Sequence, residues 1–210
     1  VTGSGLAWPP DDPSALETFP MTRRLPRSLH RVSDRSGTWW YSSRPGGGGR
    51  FDLPAPEGTC YLADDLDAAL GEKLLRRPKK LVPAERLREL LHSRITLLRP
   101  LVLANLTSTR ATGLGVNAEI HTTLDYAKPW AWAERLRQAG FRGLRYAARS
   151  DPSLAARCVA LFGGAGLHVR APAGIHTDEA PLDTRRARRL LEARGVVVVP
   201  IPRAVRIVDP

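Results

Sequence analysis

Long apolar runs are missing from this chain. No stretch of about 18 or more apolar residues occurs, so nothing in it reads as a membrane-spanning helix. No basic segment leading into an apolar core opens it, and a cytoplasmic location is expected. Cysteine is scarce: Cys60 and Cys158 each fall inside an apolar, strand-like run, and both read as reduced packing residues, not as a disulfide or metal site. His30, His92, His121, His168 and His176 are scattered without metal-ligand spacing, which excludes a recognisable zinc motif. There is no G-x-S-x-G elbow and no Walker loop. GGAGLH at 163–168 matches a dinucleotide fingerprint only in part, because no long helical pattern follows it. No internal repeat is evident.

What is present is a globular balance, with 42% hydrophobic and 25% charged residues over 210 positions. The formal charge of +11 admits two readings. A basic surface favours polyanionic partners, whereas a general enrichment in arginine only dresses solvated faces. The arginines are spread along the whole chain instead of being gathered on one element, so direct nucleic-acid binding is not expected. Residues 1–25, with Trp8-Pro9-Pro10 and Pro13 and no apolar periodicity, read as a flexible N-terminal arm, and 26–210 as a single domain.

Within that domain, residues 28–32 predict a strand with His30 and Arg31 on opposite faces, and Trp39-Trp40-Tyr41 a short strand or aromatic edge. Asp64 predicts the cap of a helix carrying Leu66, Leu70 and Leu74 as its apolar stripe. Pro83 predicts the start of a helix through PAERLRELLHSR, and Pro129 that of a second through WAWAERLRQAG. Asp183 or Thr184 caps a last helix, TRRARRLLEARG. Strands are predicted at 101–106, 143–148, 157–162, 167–169 and 196–201. Strands and helices mix without a βαβ rhythm, which predicts an α+β fold: a small split mixed or antiparallel sheet with flanking helices.

The stretch 46–72, GGGGRFDLPAPEGTCYLADDLDAALGE, carries the strongest functional pattern. A glycine run permits close approach of a ligand to backbone, and Arg50 follows it directly, where a guanidinium and backbone N–H groups could meet phosphate. Tyr61 follows on a short strand, and Glu72 flanks a helix face made small by Ala68 and Ala69. A basic, aromatic pocket with one helix carboxylate suits cleavage of an N-glycosidic bond. A carboxylate stabilises the oxocarbenium-like centre, arginines bind a diphosphate, and a tyrosine ring stacks on the leaving base.

These segments resemble the RES domain family, the toxin half of Xre–RES toxin–antitoxin pairs. The matching runs are LHRV (29–32), GRFDLPAPEGTCYLADDLDAALGE (49–72), NAEIHTTLDYAKPWAWAERLRQAGF (117–141) and FRGLRYAARSDPSLAARCVALFG (141–163). The resemblance implies a fold like the diphtheria-toxin type of ADP-ribosyltransferases, with NAD as a substrate held in the cleft of a split sheet. It also implies NAD consumption, with inorganic phosphate or water as acceptor, and no metal. The alternatives are ADP-ribosylation of a specific protein, or a basic binding module whose site has decayed. Carried onto this chain, it makes Glu72 the catalytic carboxylate and Arg31 and Arg50 phosphate or ribose contacts, with Arg31 also catalytic. Tyr61 becomes the nicotinamide-side aromatic, and Tyr41 joins the NAD-binding set. The family serine falls two residues after a tyrosine, in Y-x-S-R; here that position is Ala148, within Tyr146-Ala147-Ala148-Arg149. Either Ser150 supplies the hydroxyl through a local shift, or the hydroxyl is missing. The implied partner is an Xre-type antitoxin, with no membrane contact and nucleic acid reached only through that antitoxin.

Overall fold

The computed structural model describes residues 5–34, 37–46, 48–75 and 80–200. Its frame is an eight-stranded sheet built from β1 (Met21–Thr22), β2 (Ser28–Asp34), β3 (Glu57–Ala63), β4 (Leu90–Leu97), β5 (Leu103–Asn105), β6 (Gly143–Ala147), β7 (Arg157–Gly164) and β8 (Ile175–Pro181). The spatial order is β1-β5-β6-β7-β3-β2-β4-β8, and every neighbouring pair is antiparallel except β5–β6. This is the predicted α+β class with a mixed sheet and helices beside it.

Strand alternation divides the interior into two cores. Along β7, Cys158 and Ala160 face one side while Val159 and Leu161 face the other. The first side is covered by α1 (Leu66–Leu74), α2 (Ala84–Arg88), α3 (Glu119–Thr122), α4 (Ala127–Gln138) and α5 (Thr184–Ala193), whose buried residues include Leu70, Leu87, Ile120, Trp132 and Leu191. The second is closed by Trp39, Tyr41, Ile95 and Leu103. Cys60 and Cys158, both free and buried, lie in different cores and so on opposite faces of the sheet.

The sheet is nearly cut in two. β7 and β3 pair along seven residues and β2 and β4 along seven, whereas β2 and β3 are joined only at His30–Ala63. Beyond that bridge the two strands splay, and a cleft opens between them.

Several predicted elements take a different form. PAERLRELLHSR is not one helix: α2 ends at Arg88, and Leu90 onward is β4, because pairing with both β2 and β8 outweighs local helix propensity. The cap of α1 is Asp65, whose carboxylate accepts from Ala68 N at 2.7 Å; Asp64 instead pairs with Arg145. Pro129 is the third residue of α4 instead of its first. The strand expected at 101–106 is reduced to Leu103–Asn105, and 196–201 to Val197–Val199, with position 201 outside the described residues. Residues 5–25 of the expected arm lie against the domain: Leu6, Leu16 and Phe19 are buried, and Trp132 Nε1 donates to Ala7 O at 2.9 Å.

Candidate active site

The cleft between β2 and β3 has a volume of about 570 Å³. Its walls come from the splayed strands, through Arg31 and Tyr61, from the glycine loop at Gly46, Gly48 and Gly49, and from Glu72 on α1. A narrow recess adjoins it, lined by Arg50, Tyr126, Arg149 and Ser150. Glu72, Tyr61 and Tyr146 border both spaces.

Local folding explains how each group arrives there. Leu66, Leu70 and Leu74 bury one stripe of α1, and this rotation leaves Glu72 half-buried over Ala68 and Ala69. Tyr146 Oη donates to Glu72 Oε2 at 3.3 Å, and the Tyr146 ring meets Phe51 and Tyr61 edge-on with centroids 5.0 and 6.4 Å away. Arg31 reaches across the seam: Nη1 contacts Cys60 Sγ at 2.6 Å, and Nη2 donates to Trp40 O at 3.3 Å. Arg50 is buried, donates to Thr123 O at 2.7 Å and lies 5.1 Å from the Tyr126 ring centre. Its burial, followed by the neighbouring Arg149 charge, pushes its pKa down, while Tyr126 and Glu72 act in the opposite sense.

Of the six residues expected at the site, Arg31, Tyr61 and Glu72 line the cleft, and Arg50 and Ser150 line the recess. Tyr41 does not join them. It is buried in the second core, with its ring 5.0 Å from that of His168. Strand alternation gives the cleft its neighbours Trp40 and Ser42. Ala148 is fully buried in the first core, whereas Ser150 Oγ is buried at the recess with no hydrogen-bond partner among the described residues. Tyr126 and Tyr146 were not expected at the site. Tyr146 shares a strand face with core residue Leu144, and it is the tyrosine that precedes Ala148 in the Y-x-S-R pattern, which was the signal available for it.

At the cleft rim, His30 Nδ1 and His92 Nε2 are 2.9 Å apart, and burial pushes both pKa values down, so a neutral pair shares that contact. Among the described residues, no group of three or more His, Cys, Asp or Glu side chains is placed to hold a metal ion. No helix among them is long and apolar enough to cross a membrane. Chemically, a carboxylate stands between an aromatic wall and a recess holding two guanidiniums. Such a site can stabilise a transient cation while binding an anionic substrate.

The RES domain family matches residues 23–185. The chain belongs to the RES domain family. That span takes in every strand of the sheet except β1, together with the whole cleft. Among solved structures, a chain of the M. tuberculosis MbcT–MbcA toxin–antitoxin complex is similar at 13% identity with a TM-score of 0.61, covering 85% of this chain and 94% of that one. At that identity the likeness is one of fold. Comparison with curated proteins gives no match.

Proposed function

We propose that this RES domain is a toxin that consumes NAD, breaking the nicotinamide–ribose bond and passing the ADP-ribosyl group to phosphate or water. The observation that carries this reading is the position of Glu72 at the junction of a dinucleotide-sized cleft and an arginine-bearing recess. The C–N bond breaks with its electron pair leaving on nicotinamide, which departs neutral, so no strong general acid is required. Glu72 stabilises the cationic ribose carbon until an oxygen of the acceptor bonds to it; when the acceptor is water, a proton is released. Arg31 and Arg50 bind the phosphates. Tyr61 acts through its ring, since its hydroxyl donates to Asp52 at 2.8 Å and accepts from Phe51 N at 2.9 Å. Ser150 supplies the recess hydroxyl that Ala148 cannot.

The similar fold sits in a toxin–antitoxin complex. Together with family membership, this supports a protein antitoxin of Xre type as the partner, with nucleic acid contacted only through it. NAD and phosphate are substrates in this scheme, and no metal enters it.

The test is NAD loss by purified protein with and without phosphate, followed by mass analysis of products. Glu72→Gln is expected to slow turnover by about 10²–10³-fold with the fold intact. NAD loss at the wild-type rate in Glu72→Gln, or no loss by the wild type, overturns the reading. Label appearing only on a protein identifies a protein acceptor instead.

A further inference from the structure

Asp52 is fully buried and is not part of the cleft wall, yet each side chain or backbone group that donates to it belongs to that wall. Its Oδ1 accepts from Ser42 Oγ at 2.6 Å and from Tyr61 Oη at 2.8 Å, and its Oδ2 accepts from Gly49 N at 2.8 Å. These donors arrive from separate places: the segment after Trp40–Tyr41, the end of the glycine loop, and the middle of β3. The Tyr61 hydroxyl in turn accepts from Phe51 N, so the carboxylate and the phenol together hold two backbone amides at the foot of the loop. Gly49 is held from its other side as well, where Trp130 Nε1 donates to its carbonyl at 2.9 Å. A Cβ on Gly49 would fall 2.3 Å from both Asp52 Oδ1 and Tyr61 Oη, so the loop is seated directly on this pair.

A buried carboxylate is costly unless hydrogen bonds satisfy it, and the three donors here are neutral. What the arrangement yields is fixed geometry: an acceptor-only group draws three donors to one point. We propose that Asp52 is a positioning residue, which sets the glycine loop and the Tyr61 ring at the spacing that receives the dinucleotide. It touches no substrate and acts through Ser42, Gly49 and Tyr61. The inference rests on the reading of this cleft as the NAD site.

Asparagine is close in shape but offers one acceptor and one donor where the site needs two acceptor oxygens. With its carbonyl toward Ser42 and Tyr61, its amide meets the Gly49 N–H donor to donor. Asp52→Asn therefore releases the loop selectively. In the substrate-free protein, hydrogen exchange at the Gly49 amide is expected to quicken by about tenfold, on the scale of one hydrogen bond. KM for NAD is expected to rise by about tenfold while kcat stays within about threefold, because the bonds lost position the substrate and not the reacting centre. Ser42→Ala, which removes one donor and leaves Gly49 held, is expected to give the same split with a smaller amplitude.

Unchanged exchange at Gly49 in Asp52→Asn, a fall in kcat without a rise in KM, or a larger effect from Ser42→Ala than from Asp52→Asn would overturn the proposal. Should Asp52→Asn fail to fold, the KM split in Ser42→Ala decides it: a rise in KM with kcat kept supports the proposal, and an unchanged KM overturns it. If the wild type consumes no NAD, the functional reading falls and the clamp is judged on exchange alone, so the two failures are distinguishable.

Discussion

Replacing Gly71 by alanine sets two physical effects of opposite sign against each other. Alanine is favoured over glycine in a helix by about 1 kcal/mol. In a domain of this size, an unobstructed gain of that amount raises Tm by about 2–4 °C. Gly71 is not unobstructed: an added Cβ would fall 2.5 Å from Ser150 Oγ, and 3.1 Å from both Ser150 Cβ and Arg194 Nη1. The serine hydroxyl must retreat by about 1 Å to reach an ordinary contact. Arg194 has little freedom to follow, since its guanidinium holds Asp67 at 2.7 and 3.0 Å and the Ser150 carbonyl at 3.0 Å. Overpacking of this kind costs about 1–3 kcal/mol, so the sum is a loss of about 0–2 kcal/mol and a Tm lowered by up to about 8 °C. The assay is thermal unfolding by circular dichroism, with NAD turnover measured alongside, because the residue forced aside lines the recess below Glu72. In a Ser150→Ala background the cost is expected to shrink by at least about 0.5 kcal/mol. A Tm that rises by the full helix-propensity increment, or an equal cost in both backgrounds, would refute the packing argument.

Two further outcomes follow from the interior. Trp132 is fully buried, 5.9 Å from the Phe19 ring, and bonded to the Ala7 carbonyl; Trp132→Ala is expected to cost about 3–5 kcal/mol and to open the 5–20 segment to limited proteolysis. Unchanged protease resistance there would show that the segment is held by other contacts. Burial, and then the Arg50 charge, pushes the pKa of His121 down from 6.5 to about 4. The folded state keeps this imidazole neutral while the unfolded chain protonates it, so its contribution is fully present above pH 6.5 and is lost as pH falls toward about 4. His121→Gln is expected to flatten the fall of Tm across that window, and an equal slope in both proteins would exclude the histidine as its source.

The readable parts of this fold were those whose burial is periodic. Leu66, Leu70 and Leu74 on α1, Ala133 and Leu136 on α4, and the alternation along β6 and β7 all repeat at the spacing of their element. β8 was invisible for the opposite reason. It is an edge strand of sequence IHTDEAP, mostly exposed, and its apolar positions show no alternation. The register of β4 was likewise hidden, because its pairing partners lie about sixty and eighty residues away along the chain. The candidate site divides in the same way. Arg50, Tyr61 and Glu72 sit in one continuous stretch, whereas Tyr126, Tyr146 and Arg149 reach the recess only because β6 and β7 place the 117–150 region beside α1. Tyr41 lies one step of strand alternation from the cleft residues Trp40 and Ser42, and that step buries it in the second core.

Because β2 meets β3 at only one residue pair, the sheet is two hydrogen-bonded ladders: β2, β4 and β8 on one side, and β1, β5, β6, β7 and β3 on the other. Backbone bonding makes each ladder cooperative within itself, while the junction depends on α1, the shared core and side chains such as Arg31 that span the gap. Opening along the seam therefore costs less than opening either ladder, and it belongs to the low-energy end of the molecule's native-state fluctuations. Any molecule lodged in the gap touches both halves at once and stitches them together. Its binding free energy adds to the core contacts that already join the two ladders, so an occupied cleft makes the seam harder to open.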